Sequence, residues 1–169
     1  MSSYSLAFLL IFGLGHHPAR EPVDPAMGAQ LHSRIPCDGN GAPEDLLRIQ
    51  TTFSAGDWAR EFVVSRFANE KCELDIKGKC LHKEQAGWRT VWSDANADTA
   101  AHALVPISSC YEWGSSAPAQ YVLSGWYKEG AADSKPAWKQ APLKQVSADP
   151  EVYQFTDPNG GTARLEIRR

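Results

Sequence analysis

The chain of 169 residues lacks several common functional signatures. No apolar run approaches the roughly 20 residues that a bilayer-spanning helix needs. The longest is residues 6–15. There is no Cys-x-x-Cys pair, which sets aside thioredoxin-like redox chemistry and the usual zinc spacings. There is no Gly-x-Ser-x-Gly elbow, so the α/β-hydrolase nucleophile has no place to sit. There is no Asn-x-Ser/Thr sequon, no internal repeat and no low-complexity tract. No basic stripe is visible, and the net charge is −3 with a pI of about 5.9. A chain that neutralises nucleic-acid phosphates needs such a stripe, so no nucleic-acid partner is expected.

What is present points to an exported globular domain. Hydrophobic residues make up 43% and charged residues 22%, enough for one packed core and too apolar for a disordered chain. Residues 6–15 have the length of a signal-peptide apolar region, and Gly13-x-Gly15 offers a small-residue cleavage site before His16. The segment before the run carries no Lys or Arg, and the competing reading is a buried N-terminal strand. The four cysteines, Cys37, Cys72, Cys80 and Cys110, are even in number and widely spaced, which reads as two disulfides in an oxidising compartment. The expected organisation is a signal peptide over 1–15, a flexible arm over 16–30 and one β-rich domain over 31–169. No stable membrane span remains after signal removal, and localisation is periplasmic or extracellular.

Strand candidates recur about every ten residues, with turn signals between them. Residues 72–92 read as strand, turn, strand, turn, strand around Lys77-Gly78 and Ala86-Gly87. A two-residue turn at Lys77-Gly78 sets Asp75 opposite Cys80. Cys72 and Cys80 then lie on opposite faces, beyond the roughly 7 Å that a bridge spans. On that register each cysteine pairs elsewhere; an open loop instead allows the bridge. At the C-terminus, Asp157-Pro158-Asn159-Gly160 is a type I turn signature. A three-residue loop 158–160 pairs Phe155 with Ala163 and Tyr153 with Leu165, keeping the apolar faces together, whereas a two-residue loop mixes them. Residues 54–69 are ambiguous. Ser54-x-x-Asp57 resembles a capping box before a helix over about 55–68, while Phe62-Val63-Val64 favours a strand. The strand reading fits its neighbours better. The fold expected is mainly β: a single-domain antiparallel sandwich or small barrel, disulfide-stabilised, with α+β as the alternative.

No residue pattern specifies a catalytic site, and no cofactor is expected. Any Ser/His/Asp triad drawn from this sequence is arbitrary, because a triad is defined by geometry. Two carboxylates such as Asp57 and Glu61 share a face only in a helix, and they read as solvated acids. After cleavage, His16 would offer an amine and a ring nitrogen to Cu(II), the alternative metal reading. Its bland counterpart is a histidine in a loose arm. The aromatic residues give two candidate surfaces. Trp88 and Trp92 fall on one strand face, and with Trp126 they form a candidate ligand platform; the bland reading makes them core. Residues 108–118 place Ser108, Ser109, Tyr111, Glu112, Trp113, Ser115 and Ser116 around Cys110 and a Gly/Ser/Pro loop. A disulfide there pins a projecting loop, and a pre-organised loop binds a partner at lower entropic cost. The function expected is therefore non-catalytic binding. The leading form is a protein inhibitor or immunity-type protein acting on a secreted or periplasmic hydrolase. The alternatives are a carbohydrate or small-ligand module and a copper-binding protein.

Overall fold

Strict alternation of buried and exposed side chains identifies the strands that line one side of the core. The structure is a computed structural model that describes residues 22–36, 44–54, 58–94, 103–110, 118–129 and 137–169. In strand Glu44–Phe53 the side chains of Leu47, Ile49 and Thr51 point inward, and Leu46, Arg48 and Thr52 point outward. Strand Thr162–Arg168 does the same with Ala163, Leu165 and Ile167.

In chain order the described strands are β1 (Ala29–Leu31), β2 (Glu44–Phe53), β3 (Ala59–Ala68), β4 (Lys71–Leu74), β5 (Cys80–Glu84), β6 (Gly87–Ser93), β7 (Ala103–Ser108), β8 (Tyr121–Lys128), β9 (Trp138–Ala141), β10 (Lys144–Ala148), β11 (Glu151–Thr156) and β12 (Thr162–Arg168). One antiparallel sheet runs β1-β8-β3-β6, with β9 also paired to β8. The other runs β10-β11-β12-β2-β7. Phe62, Val64, Tyr121 and Leu123 from the first sheet meet Leu47, Ile49, Val105, Phe155 and Leu165 from the second in one core. The Phe62 ring stands edge-on to Phe155 across the sheets at 5.2 Å. Among the described strands the architecture is a β-sandwich of two sheets, one of the two forms expected.

The helical alternative for residues 55–68 does not occur over the described part, since β3 begins at Ala59. The ambiguous pattern has a physical source. β3 lies between β8 and β6, and its side chains are buried on both faces from Arg60 to Ser65. A strand covered on both sides has no need to alternate. Part of the stretch expected as a flexible arm is also tied down. Asp24 and Gln140 exchange hydrogen bonds, N–H to Oε1 and Nε2–H to O, both at 2.9 Å. Leu143 N–H donates to Met27 O at 2.8 Å, and β1 then pairs with β8.

The two sheets are joined by buried polar contacts. Arg60 on β3 donates through Nε to Asp157 Oδ2 at 2.6 Å, and through Nη1 to Ser54 O at 2.9 Å. The Arg60 and Asp157 side chains are only 3% and 0% exposed. The other Asp157 oxygen caps the β11–β12 turn by accepting the N–H groups of Asn159 and Gly161, both at 2.9 Å. The guanidinium lies so close over Gly161 that a Cβ there would sit 1.4 Å from Nη2. At the other side Thr51 on β2 hydrogen-bonds the carboxylate of Asp94, which follows β6.

Replacing Asp157 by Ala strands a buried guanidinium and leaves two turn N–H groups without their acceptor. We expect D157A to lower the unfolding free energy by about 3–5 kcal/mol. Denaturant unfolding at neutral pH measures it, and a loss below about 1 kcal/mol would show that the pair is not what joins the sheets.

Candidate binding surfaces

The β4–β5 hairpin forms a sheet of its own and packs on neither sheet of the sandwich to any substantial extent. Its turn departs from the expected two-residue form. Asp75 N–H donates to Lys79 O at 2.8 Å, and Gly78 N–H donates to Asp75 O at 3.0 Å. Asp75 Oδ1 accepts the N–H groups of Lys77 and Lys79, each at 2.8 Å. Gly78 takes φ 79°, the left-handed conformation that favours glycine. The loop is thus Ile76-Lys77-Gly78, and Leu74 faces Cys80 in place of Asp75. Cys72 and Cys80 then share a face with their Cα atoms 5.7 Å apart, and they form a disulfide. The expectation that each pairs elsewhere is corrected by this one-residue change of register. Cys110 is also disulfide-bonded; Cys37 lies outside the described residues.

The β11–β12 turn repeats the same bonds. Asp157 N–H donates to Gly161 O, Gly160 N–H donates to Asp157 O, and Gly160 has φ 83°. The expected pairings Phe155 with Ala163 and Tyr153 with Leu165 are present.

The described ends of the aromatic loop form a tight neck. Cys110 bridges to Pro118, and Ala119 N–H donates to Ser109 O at 3.3 Å. Ser108 Oγ accepts Cys110 N–H at 3.2 Å, so its hydroxyl is engaged in the local turn. Tyr121 Oη accepts Ser108 N–H at 3.0 Å, and Arg66 donates to Cys110 O at 3.1 Å while lying 5.7 Å from the centre of the Tyr121 ring. Tyr111, Glu112, Trp113, Ser115 and Ser116 lie outside the described residues, as does His16. Among the described residues no cluster of three His, Cys, Asp or Glu side chains is arranged to hold a metal.

The tryptophan platform is divided. A register shift in the β3–β6 pairing sets Thr90 opposite Ser65 but Trp92 opposite Val64. Val91 is the extra residue. Trp88 and Thr90 therefore face away from the core, while Trp92 turns inward and packs on it. Trp88 and Trp126 both line a cavity of about 400 Å³ on the outer face of the first sheet, with Arg89, Ser65 and Val23. Trp88 stands edge-on to Phe67 at 5.3 Å. Trp126 is only 1% exposed and donates Nε1–H to Ser124 Oγ at 2.8 Å, so it forms a wall more than a stacking platform. Arg89, held by Gln85 O at 2.9 Å, is a lining residue that strand periodicity did not single out.

No family model, curated protein or solved structure matches this chain.

A third polar group lies where residues 32–34, 45, 151–153 and 169 converge. Arg169 pairs with Asp45 at 2.9 Å and Glu151 at 3.5 Å, and Tyr153 donates to Glu151 at 2.7 Å. Burial raises the Tyr153 pKa well above its ordinary 10.0; the Glu151 hydrogen bond and charge add to this, and Arg169 opposes it. The folded state therefore holds the Tyr153 proton where the unfolded chain releases it. Its contribution is complete below about pH 10 and is lost as pH rises beyond that value. We expect wild type to lose more stability than Y153F between about pH 9 and pH 11, read from denaturant midpoints.

Proposed function

We propose that this chain is an exported, non-catalytic binding protein, and that its leading role is to inhibit or neutralise a secreted or periplasmic hydrolase. The observation that carries the reading is the neck at Cys110 and Pro118. There a disulfide-bonded cysteine, a strand bridge, the Arg66 contact and the Tyr121 hydrogen bond fix both ends of residues 111–117. A loop held at its base loses less entropy on entering a cleft, and Tyr111 and Trp113 are residue types that dominate interface energetics. The apolar stretch 6–15 and the oxidised cysteines support export.

A second reading follows from the cavity between Trp88 and Trp126. Its volume of about 400 Å³ suits a small ligand such as a sugar unit, with Arg89 at its wall. Glycan addition would then change tryptophan emission in wild type and not in W88A.

The deciding experiment is capture from envelope and secreted fractions with the oxidised protein as bait, read by mass spectrometry. We expect one stoichiometric hydrolase partner. W113A is expected to weaken that partner about thirtyfold or more, with near-ultraviolet circular dichroism unchanged apart from the lost tryptophan. Undiminished capture by both W113A and Y111A, or no partner for a folded bait, would overturn the inhibitor reading.

A further inference from the structure

We infer that the tip of the β4–β5 hairpin is a membrane-docking element that enters the interface of an anionic bilayer. The proposal is independent of loop 111–117. Three large apolar side chains crowd this tip: Leu74 at 60% exposure, Ile76 at 102% and Leu81 at 66%. They do not share one face. Leu74 lies on β4 opposite Cys80, Ile76 is in the turn, and Leu81 sits where the β4–β5 register shifts. Side chains spread around a narrow tip match a medium that is apolar on all sides better than a flat partner surface.

Most of the turn's N–H groups are also satisfied within the hairpin. Unpaired peptide groups are strongly disfavoured in lipid. In the turn, the N–H groups of Asp75, Lys77, Gly78 and Lys79 are all bonded within the hairpin. The Cys72–Cys80 disulfide keeps the two strands together without support from the sandwich. Residues 74–81 hold two lysines, Lys77 and Lys79, and one acid, Asp75, whose Oδ1 is turned onto backbone N–H groups. The tip is therefore net positive on a chain whose total charge is −3. Lysines beside an apolar tip can extend their ammonium groups to lipid phosphates while their stems stay in the apolar layer. Burying one Ile side chain shifts a partition constant by roughly ten- to a hundredfold, so three such residues with two lysines support weak, reversible docking.

The test uses sedimentation with vesicles of phosphatidylcholine alone and of phosphatidylcholine mixed with phosphatidylglycerol. The oxidised full chain and the form beginning at His16 are compared separately, because residues 6–15 are themselves apolar. We expect the His16 form to partition onto the anionic vesicles in preference to the neutral ones. I76D should weaken this at least about tenfold, and the K77E/K79E pair should remove the preference for anionic lipid. V146D, at an exposed apolar site on β10, should change neither. Ile76 is fully exposed, so I76D is expected to fold, and circular dichroism checks that it does. No partition by the His16 form, equal partition onto both vesicles, or partition that I76D leaves unchanged would overturn the proposal. Loss of a captured protein partner by I76D without vesicle binding would also overturn it, making the tip a protein contact.

Discussion

One carboxylate holds the end of the sandwich closed. Asp157 binds the Arg60 guanidinium from the opposite sheet with one oxygen and caps the β11–β12 turn with the other. Neither contact stands well alone. A guanidinium removed from water needs a counter-charge in close geometry, and a buried turn needs an acceptor for its N–H groups. The neighbouring residues are arranged around this demand. Ser54 gives Arg60 a carbonyl and exchanges bonds with Thr162, its N–H donating to Thr162 O and its Oγ accepting Thr162 N–H. Gly161 leaves room for the guanidinium that no side chain at that position would leave. The Phe62–Phe155 contact then packs beside the same elements.

The same local turn is used twice with opposite consequences. Asp75 and Asp157 each accept two backbone N–H groups, and a glycine three residues later takes a left-handed conformation. At Asp157 the turn is packed against β3 and joins the sheets. At Asp75 it stands in solvent, where a disulfide supplies the closure that packing supplies elsewhere. A turn that satisfies its own backbone can be presented far from the core, which frees its side chains for recognition. The neck at Cys110 and Pro118 likewise combines a disulfide-bonded cysteine with a strand bridge.

The outer face of the first sheet shows how a single extra residue redirects a side chain. With Val91 accommodated by the register shift, Trp88 stays beside the cavity and Trp92 joins the core. Strict alternation placed both on one face, and nothing in their spacing marks the shift. Trp126 lies on β8, whose side chains are buried from Tyr121 to Trp126, so the third tryptophan of the expected platform is a buried wall. The Asp-x-x-Gly pattern was legible at both hairpins. Its meaning was drawn only where a proline and an apolar alternation reinforced it, and missing it at Asp75 produced the wrong cysteine register.

The sequence by itself determined the mainly β class, the C-terminal hairpin register and the apolar face of β12, and it narrowed the architecture to a sandwich or a small barrel. These follow from local quantities: period-two burial, turn chemistry and the need to keep apolar side chains on one face. Only the tertiary structure decided that β3 is covered on both faces, that Trp92 turns inward, that Cys72 meets Cys80 and that Arg60 finds Asp157. Each of these depends on which strand lies beside or across from which, and that is set by contacts between residues distant in the chain. Arg60 and Asp157 are 97 positions apart, and no local pattern encodes so remote a partner.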